Sequence, residues 1–138
     1  MTVAWAFPPD AASTRKARQR VADVLEASDL DAAAATASLV VSELATNAVL
    51  HAGTPYEVRV GVSKELVRIE VHDGVARPPV RRHFSDEATS GRGLRLVEEL
   101  SVAWGVDVDE MGKTVWAEMS ITAEPAVMAF DLDAVDEL

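Results

Sequence analysis

Glu43 and Asn47 stand four residues apart in Leu39–His51, LVVSELATNAVLH, a stretch without Gly or Pro. On a helix that spacing stacks the two side chains on one face. The rest of the stretch is apolar almost all the way round, through Leu39, Val40, Val41, Leu44, Ala45, Ala48, Val49 and Leu50. Such a pattern belongs to a helix buried on every side. A carboxylate and an amide in that setting need partners, because burial without them costs several kcal/mol. Neighbouring backbone could supply those partners. Alternatively the two residues floor a pocket and face a ligand, a metal or water. Asn47 then presents a hard oxygen of the kind Mg²⁺ prefers, and Glu43 a carboxylate suited to take a proton from an attacking hydroxyl.

A second carboxylate points the same way. Val67, Ile69 and Val71 share one face of an alternating segment, and by that parity Asp73 falls on the same inward face at its end. There it could accept a hydrogen bond from an adenine amino group. Gly91 and Gly93, in Ser90-Gly91-Arg92-Gly93-Leu94, open a helix over Leu94–Leu100, where free amides suit phosphate. Thr114 lies on a late strand. Each signal is weak alone; together and in this order they describe a nucleotide site.

Other chemistries fail on spacing. Gly112-Lys113-Thr114 invites a P-loop reading, but position 107 is Asp where that motif needs Gly, and a strand follows instead of a helix. His51, His72 and His83 have no ligand spacing, and no Ser lies in a G-x-S-x-G context. The absence of cysteine excludes disulfides, thiolate metal sites and cysteine nucleophiles.

These residues need a scaffold, and the patterning supplies one. Val3–Phe7 reads as a short strand ended by Pro8-Pro9. Asp10 or Ser13 caps a helix to about Ala27, with Ala17, Val21, Val24 and Leu25 inward and Arg15, Lys16, Arg18 and Arg20 outward. Ser28–Asp31 turns into the central helix, which Gly53 stops. Tyr56–Ser63 and Val67–Asp73 alternate strictly about a hairpin at Lys64-Glu65, as half-buried antiparallel strands do. Gly74–Ser90 has no periodicity and reads as a functional loop. The helix at Leu94 is followed by strands Val102–Asp109 and Thr114–Ile121. The order β-α-α-β-β-loop-α-β-β predicts a two-layer α/β sandwich, a mixed, mostly antiparallel sheet with helices on one face.

With 138 residues, half of them apolar, the chain suits one domain with one core. We expect that domain over residues 1–121, followed by an acidic tail at 122–138. The net charge of −10 argues against direct nucleic-acid binding, but not against a nucleotide held by backbone amides and one metal ion. No uninterrupted apolar run reaches membrane-spanning length, and MTVAWAFPPD lacks the regions of a secretory signal. A cytoplasmic protein with no membrane contact is expected.

The ordered motifs resemble the GHKL ATPase superfamily of gyrases, chaperones, histidine kinases and mismatch-repair proteins. More specifically they are similar to its branch of anti-sigma factors with serine/threonine kinase activity. Glu43-Leu44-Ala45-Thr46-Asn47-Ala48 matches the N box, Val71-His72-Asp73-Gly74 the adenine-reading G1 box, and Ser90-Gly91-Arg92-Gly93-Leu94 the G2 box closing the ATP lid. Gly112-Lys113-Thr114-Val115-Trp116 resembles the final conserved block. The family's second G1 glycine has no counterpart, since Val75, Ala76 and Arg77 follow Gly74.

The resemblance implies a Bergerat-type ATP-binding fold and ATP with Mg²⁺ as cofactors. Glu43 would be the catalytic base and Asn47 the metal ligand. Asp73, Gly91, Arg92, Gly93, Leu94 and Thr114 would bind nucleotide beside Asn47. It further implies a sigma factor and a serine-bearing antagonist protein as partners, and it is compatible with a homodimer. A non-catalytic ATP-dependent binding module needs the same pocket. Histidine autophosphorylation is not implied, because the phosphoacceptor helices are missing.

Overall fold

A computed structural model describes residues 1–75 and 88–121, the side chains of 88–93 excepted. In chain order it contains β1 (Thr2–Phe7), α1 (Ala11–Ala27), α2 (Asp31–Asn47), β2 (Tyr56–Val62), β3 (Leu66–Asp73), α3 (Ala88–Leu100), β4 (Ala103–Asp109) and β5 (Gly112–Ser120). Among the described residues the strands form one open sheet in the order β1-β2-β3-β5-β4. Every neighbouring pair is antiparallel. The last strand therefore inserts between β3 and β4, and it brings the start of β5 against the end of β3.

Strand parity decides what the sheet buries. Val67, Ile69 and Val71 of β3 and Val115, Ala117 and Met119 of β5 are buried, together with Val58 and Val60 of β2. Onto this face pack Ala17, Val21 and Leu25, four residues apart on α1, and Val40, Val41 and Leu44 of α2. Burying each of these larger side chains contributes about 1.5–3 kcal/mol. The first turns of α2 bury only small residues, Ala33, Ala34, Thr36 and Ala37, which lets α1 lie close beside it.

The helix boundaries follow local chemistry. Asp10 caps α1 by accepting the Ser13 amide at 2.9 Å. α2 runs on into a wider π turn, Ala48–Ala52, and Gly53 ends it at φ 66°. Turns of that kind recur at functional sites.

Several expectations change. α2 is not buried all round: Leu39 is 43% and Leu50 59% exposed. α1, α3 and the sheet pack against it, yet the flank that carries Glu43 and Asn47 stays partly open. The third helix begins at Ala88 rather than Leu94. Val102 and Val108 have the parity of core residues but are exposed, because β4 is an edge strand. The segment Asp31–Ala52 is long and apolar enough to cross a bilayer by composition alone, and half of it is buried within the fold, as in a core helix. The loop expected over Gly74–Ser90 lies outside the described residues from position 76 to 87, as does the whole acidic tail.

The other sheet face carries charge. Arg68 bonds Glu70 and Glu118 and stacks 4.3 Å from the Trp116 ring centroid. Trp116 in turn lies over Gly105, where a Cβ would come within 2.8 Å of the indole.

The start of α1 is tied to the sheet by a buried bond of 2.6 Å between the Ser13 and Tyr56 hydroxyls, beside a Phe7–Tyr56 ring contact. Burial pushes the Tyr56 hydroxyl above its ordinary pKa, against the Ser13 hydrogen bond and with help from the Asp10 charge. Ionisation is thus harder in the folded chain than in the unfolded one. The resulting stability is intact below the ordinary tyrosine pKa of about 10 and falls as pH rises past it. Urea melts from pH 8 to 11 should show a shallower alkaline loss in Tyr56→Phe than in the wild type.

Candidate nucleotide site

Asp73 closes β3 with only 2% of its surface exposed. Its Oδ1 accepts the Val75 amide at 2.9 Å. Its Oδ2 accepts Lys113 Nζ at 2.7 Å. Lys113 is the direct cross-strand partner of Asp73 and is itself buried. Two charges taken out of water need such a partnership, since either one alone would be strongly unfavourable.

The strands approach closely to make it. Gly112 has φ 149°, and a Cβ there would sit 1.8 Å from the Asp73 carbonyl oxygen. Only glycine accommodates both the angle and the contact. On the other side of the turn, the Gly74 amide donates to Thr54 Oγ1 at 2.9 Å. Thr54 follows the Gly53 stop, so this bond ties the end of α2 to the end of β3.

α2 rests on β3 and β5 and presents Glu43 and Asn47, both half-buried. The side-chain amide of Asn47 has no hydrogen-bond partner among the described residues. Its oxygen is a hard donor one helical turn from the Glu43 carboxylate, and that donor set fits a phosphate-bound divalent cation.

Not every expected residue joins this group. Thr114 has the opposite parity to Lys113 and faces away from the helices, where its Oγ1 lies 2.9 Å from His72 Nδ1. The β5 side chain that turns inward beside Asp73 is Lys113. Gly91 and Gly93 lie within α3 rather than ahead of it. The first-turn amides are therefore those of Ala88, Thr89 and Ser90, and those of Arg92 and Gly93 fall in the helical ladder. Leu94 is buried, as a core residue. The Arg92 side chain lies outside the described residues.

Sequence reasoning missed Lys113 and Thr54. The parity that turned Asp73 inward, applied to β5 and its pairing, would have found Lys113. Thr54 had no sequence signal, because its partner is a backbone amide twenty residues away.

The model of the histidine kinase-like ATPase domain matches residues 7–119. The chain belongs to this family. A histidine kinase domain from the blue-light activated histidine kinase of Erythrobacter litoralis EL346 has a similar structure, with a TM-score of 0.53 and 23% identity. The alignment covers 72% of this chain and 49% of that one, so the chain spans about half the length of that neighbour and shares its fold. No curated protein matches significantly. Among the described residues no cluster of three or more acidic or histidine side chains forms a metal site.

Breaking the buried pair from one side should be costly. Asp73→Ala and Lys113→Met should each destabilise the domain by about 3–5 kcal/mol, with the double variant well below the sum. Gly112→Ala should cost about 2–4 kcal/mol through overpacking and the unfavourable φ. Urea denaturation of the four proteins checks all of these values.

Proposed function

We propose that this ATP-binding domain is a protein serine/threonine kinase of the anti-sigma type, acting in the cytoplasm by partner switching. In this reading it holds a sigma factor and phosphorylates a serine on an antagonist protein. Its family membership supports ATP as the nucleotide. The observation that carries the kinase reading is the placement of Glu43 one turn from Asn47, on the open flank of an otherwise buried helix.

The chemistry assigns separate roles. Asp73 reads the base by accepting a hydrogen bond from its amino group. The Asn47 oxygen would hold Mg²⁺, which would neutralise charge on the phosphates. Glu43 takes the proton of the serine hydroxyl as its oxygen bonds to the γ-phosphorus and the bond to the β,γ-bridging oxygen breaks, releasing ADP.

Glu43→Gln keeps the side chain's shape and removes its basicity. With radiolabelled ATP and candidate antagonists, it should transfer phosphate about a hundredfold to ten-thousandfold more slowly than the wild type, with nucleotide affinity nearly unchanged. A wild type that binds ATP but labels no serine on any antagonist would assign the domain to the non-catalytic, ATP-dependent binding modules.

A further inference from the structure

We propose that Lys113 is a second reader of the nucleobase, donating a hydrogen bond to a ring nitrogen beside the amino group that Asp73 accepts. This rests on the nucleotide reading of the site and specifies its base contacts.

The ammonium is held 2.7 Å from Asp73 Oδ2, on the residue directly across the sheet. It lies on the helix-facing side of β5 with 8% of its side chain exposed. A lysine carries three N–H donors, and among the described residues Asp73 is the single acceptor the ammonium meets. The bond to Asp73 satisfies the ammonium as a buried polar group, and it leaves N–H donors that a further acceptor can engage.

The carboxylate has matching spare capacity. Each oxygen accepts one bond, from Val75 N or Lys113 Nζ, and each has a second lone pair. The pair thus presents an acceptor and a donor side by side, without the ion pair having to break. An adenine edge offers the complement, an amino donor flanked by the ring acceptors N1 and N7. Thr114, on the far face of the sheet, cannot provide that donor.

Affinities of ATP, 1-deaza-ATP and 7-deaza-ATP, measured by calorimetry, test this on the wild type and on Lys113→Met. The analogues keep the amino group and lack one ring acceptor each. The wild type should bind one of them about tenfold or more weakly than ATP, and Lys113→Met should bind that analogue and ATP equally. Should the stranded Asp73 carboxylate prevent folding, Asp73→Asn combined with Lys113→Met has no unpaired charge and is read the same way. A wild type that binds both analogues as tightly as ATP overturns the role of Lys113, as does a penalty that persists in full without the ammonium. A wild type that binds none of the three refutes the nucleotide reading itself, and the role of Lys113 with it.

Discussion

The contact between β3 and β5 leaves no room for a side chain at Gly112, because the Asp73 carbonyl occupies that place. This close approach sets Lys113 opposite Asp73 and allows their buried ion pair at 2.7 Å. Much else depends on that register. A slip of one residue would reverse every side chain of β5, sending Val115, Ala117 and Met119 to the charged face and stranding the Asp73 carboxylate. The core and the candidate site therefore share one pairing. Since β5 enters the sheet between β3 and β4, the pairing closes only after the rest of the domain has been traced out.

α2 joins the two roles along a single helix. Its first half is small and closely packed against α1, and its second half supplies larger core residues on one side and Glu43 and Asn47 on the other. The open flank between Leu39 and Leu50 explains why two polar groups are tolerated in so apolar a segment. They border the core without being enclosed by it. The Thr54–Gly74 bond then ties the end of this helix to the Asp73 turn, so the elements that carry the proposed phosphate and base contacts are joined directly.

The sheet's two faces divide the labour. Helices cover one face, and the other remains polar, with Arg68 shared between Glu70 and Glu118 and stacked on Trp116. Thr114 and His72 belong to that second face. A residue's distance from the site in sequence is therefore a poor guide here. Lys113 and Thr114 are neighbours in the chain and stand on opposite sides of the sheet.

Periodicity by itself determined the order of elements, the inward parity of β2 and β3, a cap at Asp10 or Ser13 and the stop at Gly53, because each rests on local spacing or a local backbone preference. It also singled out Glu43, Asn47 and Asp73, whose polarity breaks an otherwise apolar pattern. Only the tertiary structure decided how Asp73 is satisfied and how open the flank of Glu43 and Asn47 remains. The order in which strands pair is not written in any one segment, so the Asp73–Lys113 pair, the crowding at Gly112 and the Thr54 anchor could not be read from spacing. Nor could the exposure of Leu39, Val102 and Val108, since burial depends on which neighbours arrive to cover a face, and an edge strand or an open helix flank has the same sequence pattern as a covered one.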